Sequence, residues 1–513
     1  MKKLLTIACL FVVATIAIVS FIAPAVFGQE QKKAKASPAT VRDDTGQTMC
    51  RNLDTEDVGS IARHPEVSAA IKVLDAWVEA TVADREQPGL SIGIVYDQEL
   101  IWAKGYGFAD VDSQVRATPA TVYRIGSISK VFTATAILQL RDGGKLQLDD
   151  PVAKYLPWFK VKNRDPEGPV ITIRHLLTHT SGLPWDAPGV DWDNFTGPSR
   201  QELIRGIAEQ ETLFPAETHL RYSNLGYVLL GEIVAAVSGE PFSQYVKTHI
   251  LNPLGMTATD LEPTPDMPGL AVGYGPRVPG KPRKAQPFAD TRFYTPAGDG
   301  ASSVEDFAKF ASLQLCDRFL GAPEILKPST LREMRRVHWL APDWRRGRGL
   351  GFSIRRVGEQ LRFGHGGDSR GFLAEFEIAP VEKLAVIVFT NASDGSPRRY
   401  LEQALAIVGP AVTRATAPAR TTPTPDPTWG KYVGTYKSTD GTVKIMVLNG
   451  ELTSINPSND NPWESRGLLK PVGPHTFRRI ESGGIYGELL RFEVDHEGRV
   501  TALRTSTNHY SRE

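Results

Sequence analysis

The chain is poor in cysteine: its 513 residues hold three, Cys9, Cys50 and Cys316. Cys9 lies inside an apolar N-terminal run, and the remaining two cannot build a disulfide framework. No Cys/His spacing suits zinc either. An excess of one charge is also missing, since 59 basic side chains against 58 acidic ones leave a net charge of +1. That balance gives no electrostatic reason to expect a nucleic-acid partner. What the chain does have is bulk. At 513 residues it is too long for one ordinary core, which predicts two folded domains plus tails. Hydrophobic residues at 41% and charged residues at 23% describe soluble globular material.

The N-terminus carries an address. Lys2 and Lys3 precede an uncharged run from Leu4 to Gly28, with small residues offering cleavage after Ala25 or after Gly28. This is the pattern of a secretory signal peptide over 1–28, which predicts a periplasmic or extracellular protein. The run is also long enough to serve as an uncleaved membrane anchor, the one membrane contact the sequence offers. Cys9 lies too early in it for lipid attachment. Residues 29–55 are polar and predict a flexible spacer.

From residue 56 to 408 the pattern is mixed. Val67, Ile71, Leu74 and Trp77 recur at helical spacing. Strands follow at Leu90–Tyr96 and Leu100–Gly105, joined by an Asp97-Gln98 turn. Helices dominate the middle: Ser199 and Glu202 form a capping box, Leu229, Leu230, Ile233 and Val234 mark a second helix, and a third starts after Ser303. Short β-rich stretches return at Gly351–Val357, Gln360–Gly364, Phe372–Ile378 and Leu384–Thr390. Helices inserted between early and late strands of one sheet predict an α+β domain. Residues 409–427 are rich in Pro, Thr and Ala and predict a linker. Residues 428–513 look entirely β, with hairpins at Asn449-Gly450 and His496-Glu497-Gly498, and predict a small antiparallel barrel or sandwich.

Three motifs carry chemistry. Ser127-Ile128-Ser129-Lys130 opens a helix, and residues three apart share a helix face, so hydroxyl and amine project together. The lysine can act as a base only when neutral, which needs burial or neighbouring cations. Tyr222-Ser223-Asn224 stands at the entrance to an apolar helix, where a phenol can relay a proton and an amide can hold a substrate carbonyl. His365-Gly366-Gly367 follows the β-run Leu361–Phe363, and its glycines let a substrate backbone approach the strand.

In this order the motifs resemble those of the serine β-lactamases and penicillin-binding peptidases, which carry S-x-x-K, Tyr-x-Asn or Ser-x-Asn, and K-T-G. Ile173–Pro184 and Pro296-Ala297-Gly298 look like two further stretches typical of class C β-lactamase relatives. The resemblance spans about His64 to Val408. It implies a β-lactamase/transpeptidase-like domain: an antiparallel sheet flanked by helices, with a helical subdomain. It also implies that Ser127 is the acylated nucleophile, Lys130 its base and Tyr222 a proton-transfer residue. Asn224, His365, Gly366 and Gly367 would bind substrate, and the backbone N–H groups of Ser127 and Asp368 would form an oxyanion hole. No metal and no organic cofactor are implied. Substrates would be small peptides, esters or β-lactams, with cell-wall material a further candidate.

The third motif departs from the family by starting with His365 where β-lactamases have Lys. An imidazole mostly neutral at pH 7 is a weaker partner for a substrate carboxylate than a fixed cation. The His-x-Gly form looks more like the D-aminopeptidase and esterase branch, some members of which add a C-terminal lipocalin-like barrel. The expected activity is therefore D-amino-acid peptidase or esterase, ahead of β-lactamase or D,D-carboxypeptidase, with a non-catalytic binding module as a third alternative. Asp186, Asp191 and Asp193 could meet a substrate amine or simply decorate a surface loop. The arginines at 332, 335, 336, 345, 346, 348, 355 and 356 read as a solvated loop, with an anion-docking site as the alternative. Two competing patterns fail: Gly367–Gly371 fits G-x-S-x-G but leads into a strand, and His175 and His179 lack the acid of a zinc helix.

Overall fold

The computed structural model describes residues 59–316, 324–358, 360–416, 425–481 and 485–513. The leader over 1–28 and the spacer over 29–55 lie outside the described residues.

The first domain is built on nine antiparallel strands in the order β3-β2-β1-β11-β10-β9-β8-β7-β6. In chain order these are β1 (Gly89–Tyr96), β2 (Glu99–Asp110) and β3 (Val115–Arg116). After a separate pair, β4 (Val122–Arg124) with β5 (Ala301–Ser303), come β6 (Trp339–Leu340), β7 (Arg346–Arg348) and β8 (Ser353–Val357). The sheet ends with β9 (Gln360–Ser369), β10 (Phe372–Ala379) and β11 (Leu384–Thr390). The centre, β1 against β11, is buried throughout, and side chains alternate between two cores. Leu90, Ile92 and Ile94 with Leu384, Val386 and Val388 face two N- and C-terminal helices, α2 (Pro65–Asp84, after the short α1, Gly59–Arg63) and α12 (Pro397–Thr416).

Ala385, Ile387 and Phe389 face the other way. There α3 (Ser129–Asp142) and α10 (Val304–Cys316) cover the sheet. Gly93 lets α10 in, because a Cβ there would lie 2.4 Å from the Val304 side chain. The helical subdomain lies between β4 and β5: α4 (Val152–Tyr155), α5 (Ile173–Thr178), α6 (Arg200–Ile207), α7 (Asn224–Ser238), α8 (Phe242–Val246) and α9 (Thr295–Gly298). Helix α11 (Pro328–Met334) leads back to the sheet. The capping box of Ser199 with Glu202 closes the start of α6 as expected.

One boundary moves. The linker expected from residue 409 begins later, because α12 continues to Thr416 through Pro410. Gly409, Ala411 and Val412 are buried against the sheet, and that burial outweighs the local helix-breaking signal. Residues 417–424 lie outside the described residues.

The second domain is an eight-stranded closed antiparallel barrel running from Gly434–Ser438 to His509–Arg512. Closure comes where Tyr436 pairs with Arg512. Asn449 and Gly450, at φ 52° and 76°, take the left-handed pair of values a two-residue hairpin demands. Tyr436, Ile445, Leu452, Phe477, Leu490, Phe492 and Leu503 fill the interior, so this barrel is a packed core. It docks on the α2/α12 face through Leu448, Ile455 and Trp463. The Trp463 ring lies between the guanidinium groups of Arg466 at 4.1 Å and Arg414 at 5.4 Å. That face is the opposite side of the sheet from α3.

Candidate active site

Gly126, at φ +51°, turns the chain sharply ahead of α3. Ser127 sits in this 3₁₀ turn (Gly126–Ile128), and the α-helix starts two residues later than the sequence pattern suggests. The second serine of the motif explains the difference. Ser129 Oγ donates to Gly126 O (2.8 Å) and accepts from Gly300 N (2.9 Å), which stitches the turn to α9's exit. Ser127 and Lys130 still meet, with Nζ 3.2 Å from Oγ.

Lys130 is fully buried. Its Nζ donates to Asn224 Oδ1 at 2.9 Å and to the Ala297 carbonyl. The Pro296-Ala297-Gly298 block thus presents a carbonyl to the lysine, and a buried Arg124–Asp299 ion pair with Thr133 Oγ1 on Pro296 O (2.6 Å) holds it in place. Burial, then the cation of Arg348, hold the Lys130 amine well below its usual range, with Asp186 opposing. A neutral amine has two N–H groups and one lone pair. Two carbonyl-type acceptors use the N–H groups, which leaves the lone pair for the Ser127 hydroxyl.

Tyr222 forms one wall. Burial pushes its phenol up to about 12, against a hydrogen bond with Ser127 and the Arg348 charge. His179 stacks on it at 4.3 Å, Trp185 at 5.2 Å and His365 at 6.3 Å. His179 is left-handed (φ 59°) at the end of α5, and its Nδ1 accepts from Ser223 N at 3.1 Å. It therefore fixes Tyr222 from behind, a role its place in the sequence did not reveal. His175 is structural, capping α5 with Thr172 and reaching Glu217 Oε1 at 2.9 Å. Among the described residues no cluster of His, Cys, Asp or Glu could hold a metal ion.

Asn224 opens α7, capped by Ser223 Oγ on Gly226 N (3.0 Å). Its amide is shared: Oδ1 accepts from Lys130, and Nδ2 donates to Asp186 Oδ1 at 3.0 Å. Asp186 also accepts from Tyr294 Oη (2.5 Å) and Trp192 Nε1 (2.6 Å). Of the three acids in this loop, Asp186 alone reaches the lysine network. Asp191 is occupied by Asn194, and Asp193 is exposed.

Strand β9 brings in the third motif. It pairs with β8 only up to Ser353↔Gly364, so from His365 to Ser369 it pairs with β10 alone and leaves a local open edge beside Ser127. The glycines also serve a purpose within the chain. A Cβ at Gly367 would lie 1.8 Å from Ile125 O and 3.3 Å from Ser127 N, and one at Gly366 would lie 2.9 Å from Glu375 Oε2. They admit the chain's own Ser127 turn and the Glu375 carboxylate. The same contact sets a Gly126 Cβ 2.6 Å from Asp368 N, so the Ser127 and Asp368 amides are neighbours. Ser369 ends β9 and Gly371 (φ 80°) turns the chain into β10, so no nucleophile elbow forms.

His365 is buried, and burial, then Lys130 and Arg348, bring its imidazole down to about 3. Its Nδ1 lies 2.6 Å from Gly366 O and donates to it, which leaves Nε2 as an acceptor. A neutral ring stands where the family's lysine would be.

A serine and a buried lysine at the foot of a helix, a tyrosine wall and an open strand edge on an α+β sheet define a penicillin-recognising type of fold. The chain matches the Beta-lactamase family over residues 74–409 and belongs to it. It is 37% identical over 191 residues to Protein flp of Staphylococcus aureus (strain MW2), covering 37% of this chain and 38% of that protein. PbpX of Bacillus subtilis (strain 168) is 37% identical over 218 residues, 42% of this chain and 52% of that one. The chain thus spans about half or less of the length of these curated relatives. Among solved structures, the octameric penicillin-binding protein homologue from Pyrococcus abyssi superposes with a TM-score of 0.58 at 26% identity, over 86% of this chain and 99% of that one.

Proposed function

We propose that the protein is an exported serine hydrolase that cleaves amide or ester bonds through an acyl-enzyme, as a D-amino-acid peptidase or an esterase. The observation that carries this reading is the buried Lys130 amine, 3.2 Å from Ser127 Oγ. In the proposed reaction Ser127 Oγ attacks the substrate carbonyl while Lys130 takes its proton. The Ser127 and Asp368 amides receive the oxyanion, each worth about 3 kcal/mol at the transition state. Tyr222, its phenol kept protonated at neutral pH, passes a proton to the leaving group. Water then releases the acyl group by the reverse proton path. Asn224 fixes the Lys130 amine through Oδ1 and has one N–H left for a substrate carbonyl. The uncharged run behind Lys2 and Lys3 supports export.

The neutral His365 favours this branch over a β-lactamase or D,D-carboxypeptidase. A panel of nitrocefin, p-nitrophenyl butyrate and D- and L-alanine p-nitroanilides tests it. Turnover of the ester or the D-anilide, lost in Ser127→Ala, is expected. Fast nitrocefin turnover with no D-anilide or ester activity would move the assignment to the β-lactamases.

A further inference from the structure

We propose that the β6–β7 hairpin is a membrane-docking element, which sets the mouth of the cavity leading to His365 against an anionic lipid bilayer. This contact is separate from the uncharged run over 4–28 and does not depend on the hydrolase reading.

Asp343 fixes the hairpin's turn. Its Oδ1 accepts from the backbone N–H groups of Arg345 (3.0 Å) and Arg346 (3.1 Å), while Ala341 N donates to Arg346 O at 2.8 Å. The turn holds Trp344 at φ 57°, a left-handed conformation that a bulky side chain adopts only at a cost. Packing does not offset it. Trp344 is 72% exposed and enters no ring stacking or cation contact among the described residues. Sheet register gathers its neighbours. Arg346 pairs with Arg355, and the bond from Arg356 N to Arg345 O (2.7 Å) carries that ladder one residue further. Arg356 pairs in turn with Leu361, so Arg345, Arg356 and Leu361 form one row. Leu340, opposite Gly347, lies two residues along the same face. Leu361 is 47% exposed and Leu340 41%.

Charge completes the patch. Residues 339–362 hold six arginines against two acids, Asp343 and Glu359. Arg346 is matched by Asp343 at 2.8 Å, Arg355 by Glu377 at 2.5 Å and Arg362 by Glu382 at 3.3 Å. Arg345 is exposed and has no carboxylate partner among the described residues, and Arg356 beside it is exposed as well. An exposed tryptophan among arginines suits a membrane interface, with the ring at headgroup level and the cations on anionic phosphates. A protein partner suits it less, because a stable interface takes about 20–30 residues a side and this is the tip of one hairpin. On the hairpin's other side, Trp339, Ala341 and Pro342 line a cavity of about 710 Å³ that reaches Arg348 and His365. Docking through Trp344 therefore brings the mouth of that cavity to the bilayer.

The test mixes the full chain with vesicles of phosphatidylcholine alone, or of equal parts phosphatidylcholine and phosphatidylglycerol. Flotation reads binding, and brominated acyl chains read insertion by quenching tryptophan fluorescence. The anionic vesicles are expected to bind about tenfold more tightly, an advantage that shrinks as salt rises, and to quench part of the fluorescence. Trp344→Gly should abolish that quenching and weaken anionic binding about tenfold. Its melting temperature should be no lower than native, since glycine takes a positive φ freely. Arg345→Gln should weaken anionic binding about fivefold. Absence of anion-dependent quenching, or quenching unchanged in Trp344→Gly, would overturn the proposal and leave the N-terminal run as the membrane contact. Binding to heparin without quenching by the vesicles would assign the arginines to a soluble polyanion and overturn it equally. Should Trp344→Gly fail to fold, Trp344→Asn decides by the same two readings. Failure of the hydrolase reading shows separately, in Ser127 labelling, which none of these measurements uses.

Discussion

At the scale of single residues, the proposed chemistry turns on Lys130. Its amine meets two acceptors and one hydroxyl, and burial with the Arg348 cation holds it well below the usual lysine range, toward the neutral form. Acylation needs the neutral form, so its rate should rise with pH through the Lys130 ionisation and level off well below the usual lysine range. Removing the Arg348 charge removes a term that disfavours the ammonium, so the Lys130 pKa rises. In Arg348→Gln the rising limb of acylation rate against pH is therefore expected at higher pH, followed by stopped-flow labelling. A limb that stays put or moves lower would show that Arg348 does not act on the lysine. Ser127, Lys130, Tyr222 and Asn224 were legible in the sequence because each motif is local and opens a helix. Asp186 and Arg348 were legible only as members of larger groups of acids and arginines, and His179 only within a family-like stretch, since they reach the site through a loop, sheet register and a left-handed cap.

At the scale of elements, two backbone segments make the site: the Gly126 turn and the open end of β9. Their approach is so close that Gly367→Ala would drive a methyl to 1.8 Å from Ile125 O. One segment must then withdraw. The expected cost is about 1–3 kcal/mol of stability, read by urea denaturation, with acylation falling by at least tenfold as the two amides separate. Full stability and full labelling together would mean that the segments are not in contact. Sequence pattern showed the glycines but not their neighbour, because the partner lies about 240 residues away, from Ile125 to Gly367. Helix α12 shows the converse. Local composition from 409 onwards read as a linker, whereas burial of Ala411 and Val412 carries the helix to Thr416.

At the scale of the molecule, the candidate active site and the barrel occupy opposite faces of one sheet. The barrel docks on α2 and α12 through Trp463, 4% exposed between Arg414 and Arg466. Trp463→Ala should cost about 3 kcal/mol and loosen the barrel, seen as a second thermal transition or a lowered melting temperature. Ser127 labelling is expected to change by less than twofold. A large loss of labelling in a folded Trp463→Ala protein would mean that the barrel governs the site. The α+β class and the all-β second unit were legible from periodicity and hairpin turns. The docking of one on the other was not, because Trp463 and Arg414 carry no local signature.

The central claim is that Ser127, activated by Lys130, forms the covalent bond. Intact-mass and peptide mapping after fluorophosphonate labelling tests it most directly. One adduct per chain on the peptide containing Ser127, slowed at least a hundredfold in Lys130→Met and absent in Ser127→Ala, is the expected result. An adduct that persists in Ser127→Ala, or full-rate labelling in Lys130→Met, would contradict it.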